Sequence, residues 1–289
     1  GDYSAITGGY DNTATGSGSF VGGGVGNGAT GNYSFIGGGG DGVLGNGNMA
    51  TGHSTVVAGG KQNVVVGDFS FIGAGVGNTV TQQYSVVSGG ANHTSSGTYS
   101  TISGGFTNIA SALNSSVGGG NNNKAIAISS TVSGGENNTA NSFGATVAGG
   151  SNNTASNNNS SVVGGDFNSA SGLASIVGGG TANVASGDYS FVGGGGDGTG
   201  INFNQASATG SSVVGGVKNL ASGDGSFMGG GSSNTASGLN SVVDGGDSNI
   251  ASGNNSTVGG GLGNVASGLS SVVAGGGGLG IVNKNTASG

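Results

Sequence analysis

Residues 234–261 read NTASGLNSVVDGGDSNIASGNNSTVGGG, and one pattern runs through them nearly twice. Each copy opens on an Asn, places an Ala two residues on, passes through Ser–Gly, sets a Ser and a Val two apart, and closes on paired glycines. Equivalent residues lie 15 apart, as from Asn234 to Asn249. Alternation through S-x-V-x-G puts Ser241, Val243 and Gly245 on one face of a short strand. The paired glycines mark a corner, because backbones crowd there and φ turns positive. A helix is excluded: the apolar residues do not return at 3.6, and glycine this frequent would cost about 1 kcal/mol apiece in a helix. The stretch therefore predicts short strands and corners repeated as stacked coils.

Rows begun at Gly1 resolve the whole chain into eighteen coils and a final Gly289. Fifteen coils have 15 residues, and three, beginning at Gly31, Gly187 and Gly268, carry six more. The consensus is G-x-x-S-x-V-x-G-G-x-x-N-x-A-S. Column four is Ser in sixteen coils, with Thr55 and Ala145 otherwise. Column six is Val or Ile except at Met228, and column fourteen is mostly Ala. Column twelve is Asn in seventeen coils and His93 in the other. Among its members are Asn12, Asn27, Asn63, Asn78, Asn108, Asn138, Asn153, Asn234, Asn249 and Asn264. The expectation is a structural ladder, with Asn at a left-handed corner and its amide bonded to the copies above and below. His93 is read as a ladder substitute, and His53, in column two, as a lone turn residue. The predicted fold is all-β, a β-solenoid of eighteen 15-residue coils, three with six-residue insertions. Residues 1–289 form one continuous array, about 85 Å long at ~4.8 Å per coil.

Composition limits the function. The chain has 74 glycines, no Pro, Cys or Trp, only four Lys and Arg together, and a net charge of −7. The four basic residues (Lys61, Lys124, Lys218 and Lys284) are far apart in sequence, so no basic face for nucleic acid is expected. No apolar run approaches the roughly 20 residues that span a bilayer. Absence of cysteine removes disulfides and thiolate metal sites and suits an extracellular protein. With no initiator Met or signal peptide, the sequence reads as a mature product or a slice of a longer fibre. Its ends both fall in column one without a polar cap, which would invite stacking. GNYSFIGGGGDG from Gly31 returns nearly unchanged as GDYSFVGGGGDG from Gly187, as duplicated blocks would.

One Val and one Ala per coil bury little apolar surface for fifteen ordered residues, so further burial against another chain is expected. Column five supplies Phe20, Phe35, Phe71, Phe191 and Phe227, each with Gly two residues later. On a shared strand face that glycine clears space for the ring. Column three adds Tyr33 and Tyr189, with Tyr3, Phe69, Tyr84 and Tyr99. This stripe is the predicted oligomer interface.

The repeat N-x-A-S-G-x-x-S-x-V-x-G-G, carried by Asn234 to Gly246 and by Asn249 to Gly261, resembles the head repeats of trimeric autotransporter adhesins of the Yersinia-adhesin type. That resemblance implies a left-handed parallel β-roll with three chains around a common axis. It covers all eighteen coils, but no neck, heptad stalk or membrane anchor accompanies it.

Neither histidine joins a nucleophile and a carboxylate in related columns, so no catalytic triad is expected, no cofactor, and no enzyme. The GGGGDG runs lack the lysine, helix or second carboxylate of a phosphate or calcium loop. If the array binds a host or matrix ligand, the protruding insertions with Asp41, Asn46, Asp197 and Asn202 are the candidates. The expected function is an extracellular or cell-surface fibre that self-associates, as a trimer, laterally or end to end, and mediates attachment. The alternative is a phage or viral tail-fibre segment on a virion surface. Ice binding is disfavoured because column thirteen is Thr in only seven coils.

Overall fold

The computed structural model describes residues 1–278 and 284–288. It is a parallel β-solenoid of eighteen turns, all-β, with no helix among the described residues. The third insertion falls partly on residues 279–283, outside the described residues. The chain divides into two compact units, Gly1–Ala140 and Asn141–Gly289.

In the first unit each coil contributes two strands of two residues, from β1 (Ala5–Ile6) and β2 (Thr13–Ala14) to β17 (Thr131–Val132) and β18 (Thr139–Ala140). Columns five and six pair in parallel with the same columns of the next coil, as Ala5 with Phe20 and Ile6 with Val21. Columns thirteen and fourteen do likewise, and the first insertion leaves their register intact, with Ala29 opposite Ala50. Column ten forms a third ladder of single-residue bridges, as Lys61 to Val76 to Ala91. The second unit, from β19 (Thr146–Val147) to β36 (Thr286–Ala287), repeats this arrangement. The insertion in the coil from Gly187 likewise leaves Ala185 opposite Ala206.

The interior alternates apolar and polar rows. Away from the first and last coils, column six (Val57, Ile72, Met228) and column fourteen (Ala50, Ala236) are buried, and so are the serines of column four and the Asn row of column twelve. A polar group buried this completely is costly unless bonded; the Asn row and serines such as Ser34 and Ser100 are bonded, whereas the hydroxyls of Ser19, Ser190, Ser226, Ser241 and Ser256 have no partner.

Three corners close each turn. At the first, the column-four amide donates to the column-one carbonyl, as Ser19 to Gly16 at 3.1 Å, and column three takes positive φ, as at Tyr84 (59°). This is the pattern of a type II β-turn. The buried hydroxyl of Ser34 adds a bond to the Gly31 carbonyl at 2.7 Å.

At the second corner, column nine needs glycine for two reasons. Gly105 has φ 94°, and a Cβ there would run into the Gly120 carbonyl of the next coil and the Asn108 amide of its own. Column eight departs from expectation. A Cβ on Gly59 or Gly134 would meet nothing within 4 Å, so this column does not share the core face with columns four and six. The strand ends at column six, and the chain has already turned outward. That is why Ala74 fits there.

The third corner corrects a second expectation. The column-twelve Asn residues are not left-handed; the preceding residue is, as at Gln62 (57°), Asn92 (57°) and Asn137 (55°). Positive φ at column eleven turns the chain, so that the next side chain enters the core.

Candidate interaction surface

The Asn row works as a spine. The Asn63 backbone amide donates to Asn48 Oδ1 at 3.1 Å, and Asn78 in turn donates to Asn63 Oδ1 at 3.1 Å. Asn63 Nδ2 donates to the Gly59 carbonyl of its own coil at 3.1 Å and to the Gly75 carbonyl of the next at 2.9 Å. One side chain thus ties the glycine corner of two coils to the third corner. The same bonds recur at Asn27, Asn108, Asn234, Asn249 and Asn264. Near the first end, Asn12 Nδ2 reaches Gly8 and Gly24. Asn138 and Asn153 bond Gly134 and Gly149 in the same way. Direct amide-to-amide bonds are fewer, as from Asn234 Nδ2 to Asn219 Oδ1 at 3.2 Å.

His93 fills one position of this row. Its backbone amide donates to Asn78 Oδ1, and its Nδ1 accepts from the Asn108 amide, each at 3.0 Å. The neutral ring therefore carries its proton on Nε2, which is buried and makes no well-formed hydrogen bond. Burial lowers the imidazole pKa below 6.5, while the contact with Gly105 acts the other way. The same coil puts Ser95 in the Ala column, where its hydroxyl meets Ser100 Oγ at 2.6 Å.

The outer face carries the aromatics. Phe35, Phe71, Phe191 and Phe227 lie on the strands of column five, each between 37% and 39% exposed, and Phe20 is half-buried. The rings of Phe20 and Phe35 stack at 5.3 Å and 8°. Cε1 of Phe20, Phe35, Phe71 and Phe191 lies 3.3–3.5 Å from where a Cβ would stand on Gly22, Gly37, Gly73 and Gly193. Each ring folds back over its glycine.

Column three makes a second, more exposed row, on which Tyr33 and Tyr189 are 62% and 63% exposed. Phe69, Tyr84 and Tyr99 stack face to face, at 5.4 Å between the first two and 5.0 Å between the last two. Column three of the coil before Phe69 is Ser54, which would interrupt the row. His53 corrects its reading as a lone turn residue. Its ring stands 5.4 Å from Tyr33 and 5.4 Å from Phe69, bridging the gap from column two. Five rings therefore run through five successive coils of the first unit. Each such pair contributes about 0.5–1.5 kcal/mol, which offsets the ~1–2 kcal/mol of placing a bulky residue at positive φ.

Column two holds a further device that the sequence reading passed over. The carboxylate or amide oxygen of Asn32, Asp68, Asp188, Asp224 and Asn254 accepts the column-two backbone amide of the preceding coil, at 2.7–3.2 Å. Its signal was the recurrence of Asp and Asn in that column.

The first two insertions are buttoned from inside. Asp41 accepts from the Val43 amide at 3.1 Å, from Asn46 Nδ2 at 3.0 and 3.1 Å, and from Lys61 Nζ of the next coil at 2.8 Å. The Lys61 ammonium, then Asn46 and the Val43 amide, hold its carboxyl at about 2. In the second loop Asp197 accepts from the Thr199 amide and hydroxyl and from Asn202 Nδ2. The bonds to Asn202 and Thr199 lower its pKa too. The four loop residues thus pair with one another, leaving Val43, Leu44 and Ile201 exposed around them. Beside the second loop, Ile201, Phe203, Leu220 and Lys218 line an open groove of about 350 Å³.

Among the described residues no group of three or more His, Asp or Glu is placed to hold a metal ion, and no helix is long and apolar enough to cross a membrane. No protein-family model matches the chain, and no curated protein matches it.

Proposed function

We propose that this chain is a non-enzymatic segment of an extracellular structural or adhesive fibre, assembling with copies of itself through the aromatic stripe of columns three and five. The supporting observation is the five-ring row from Tyr33 to Tyr99 beside Phe35 and Phe71, a continuous exposed aromatic strip. Exposed apolar strips of this kind mark interaction surfaces. Three chains around one axis, as in the adhesin heads that the repeat resembles, would cover the strip with the least modification of the coils. A cell surface or virion is where such a segment would serve, and a host or matrix ligand is its expected partner.

The test is the mass of the purified chain in solution by analytical ultracentrifugation, with and without Phe35→Asp and Phe71→Asp together. A concentration-resistant homo-oligomer that the double substitution dissociates, with the circular dichroism of the folded chain retained, supports the proposal. A monomer at micromolar concentration, or an oligomer indifferent to the substitutions, would sink it.

A further inference from the structure

The chain contains two Asn–Gly steps, Asn27–Gly28 and Asn46–Gly47, and the fold treats their glycine amides differently. In any such step the glycine amide nitrogen, unhindered by a side chain, lies close in sequence to the Asn carboxamide carbon. Whether the two react depends on whether the backbone leaves them free to meet.

Asn27 is fixed on every side. Its Nδ2 donates to Gly23 and Gly39, its Oδ1 accepts the Asn48 amide, and the Gly28 amide is itself committed to the Asn48 carbonyl at 2.8 Å. Asn46 ends the first insertion. No hydrogen bond ties the Gly47 amide among the described residues. Gln62 Nε2 of the next coil donates to Asn46 Oδ1 at 2.8 Å, and Asn46 Nδ2 rests on the Asp41 carboxylate. The carbonyl that would be attacked is therefore already polarised by a donor placed to stabilise the developing oxyanion.

We propose that Asn46 is a self-modification site, converted without an enzyme to aspartate and isoaspartate by attack of the Gly47 amide nitrogen, and that this one-way change unbuttons the first inserted loop. The Gly47 nitrogen bonds to Asn46 Cγ and gives its proton to solvent. A proton from solvent goes to Nδ2, the Cγ–Nδ2 bond breaks, and ammonia leaves a five-membered cyclic imide. Water adds to either imide carbonyl and reopens the ring, so one water is consumed for each ammonia released. The product carries a carboxylate where Asp41 had an amide donor, and like charges then face each other across the loop. The isoaspartate form also lengthens the backbone at the Asn46 carbonyl that accepts the Gln62 amide at 3.1 Å.

The second insertion supplies an internal control. Asn202 is held by Asp197 in the same manner, but Phe203 follows it, and its side chain hinders the attacking amide.

The experiment incubates the intact folded chain at mildly alkaline pH, samples it over days, and quantifies aspartate and isoaspartate at all three sites by peptide mapping with mass spectrometry. A urea-unfolded sample runs in parallel. Asn46 should convert about tenfold or more faster than Asn27 and Asn202 in the folded chain, and Gln62→Ala should slow Asn46 several-fold. In urea the two Asn–Gly steps should convert alike. Asn46→Asp, which mimics one product, should raise amide hydrogen exchange across residues 41–46 and leave the coils on either side protected. Conversion of Asn27 as fast as Asn46 in the folded state overturns the proposal. So does an intact Asn46 when the unfolded control has reacted, a Gln62→Ala rate equal to wild type, or unchanged exchange in Asn46→Asp.

Discussion

His93 is where the Asn spine is weakest, and replacing it by the consensus residue should strengthen the fold. Each neighbouring Asn uses Nδ2 twice, as Asn108 does to Gly104 at 2.9 Å and to Gly120 at 3.0 Å. The imidazole keeps the two bonds along the row through its backbone amide and Nδ1, but leaves Nε2 buried with only a contact to Gly105 and no well-formed hydrogen bond. His93→Asn should restore two bonds at about 1 kcal/mol each and remove one unpaired donor at about 1–3 kcal/mol. The smaller side chain gives back part of this as lost packing, which leaves a net gain of about 2 kcal/mol. The pH dependence is the sharper readout. Burial holds the folded pKa of His93 below 6.5, so between the two values the unfolded chain binds the proton more readily. Wild type therefore loses stability as pH falls from 6.5 towards the depressed folded value, and the loss levels off below it. Denaturant unfolding of both proteins at pH 7.5 and across the acid range would separate the two. The gap between variant and wild type should widen as pH drops through this window, since the carboxylates are common to both. A variant less stable than wild type at neutral pH, or a gap that stays constant with pH, would rule out this account of His93.

Adjacent glycines should respond differently to one methyl group. Gly105→Ala meets positive φ and the Gly120 carbonyl and should cost several kcal/mol (~3) in denaturant unfolding, whereas Gly134→Ala points into open space and should stay within about 0.5 kcal/mol. The serine column should split in the same assay. Ser100→Ala removes bonds to Gly97 and Ser95 and should cost about 1–2 kcal/mol, whereas Ser241 has no partner for its hydroxyl and Ser241→Ala should be neutral or stabilising. The Asp41 carboxyl, held at about 2, keeps its bonds well below the ordinary 3.8 and loses them as pH falls through about 2. An NMR titration should show that value, and Lys61→Ala should move it up towards 3.8.

Much of this architecture was legible because a solenoid writes its structure once per turn. The 15-residue interval, the Val and Ala columns and the glycine two residues after each column-five Phe are all properties of a column, and eighteen copies average out local noise. Conformations that a single residue type does not mark were harder to read. Positive φ falls on columns three and eleven, which hold Tyr, Asn, Ser, Gln and Lys, and not on the uniform Asn of column twelve. Uniformity there reflects hydrogen-bond geometry inside the core, which accepts one side chain, whereas an exposed left-handed turn residue is constrained only by its backbone. Column ten was missed for a similar reason. Its bridges use main-chain atoms alone, so Lys61, Val76, Ala91, Phe106 and Glu136 serve equally, and no composition betrays the third ladder. His53 could not be assigned from its own coil, because its partners Tyr33 and Phe69 lie one coil before and one coil after, in a different column.

The mixed core explains how so thin a fold keeps its register. Val and Ala rows alone would be nearly indifferent to a slip of whole coils, since every layer presents the same shape. Hydrogen bonds do not remove that degeneracy between identical coils, but they make any partial slip costly. A two-residue displacement would strand the Asn amides away from the column-eight and column-nine carbonyls, at about 1–3 kcal/mol for each buried group left unpaired. The six-residue insertions show the same constraint from the other side. The first leaves the coil at Gly40, whose amide still bonds the Gly60 carbonyl, and rejoins at Asn46, whose carbonyl takes the Gln62 amide. Asn48 then donates its amide to Asn27 Oδ1 at 2.9 Å as if nothing had intervened. Chain can be added wherever both ends of the detour return to the column-ten ladder, which is why variation collects there and the Asn spine runs past it unbroken.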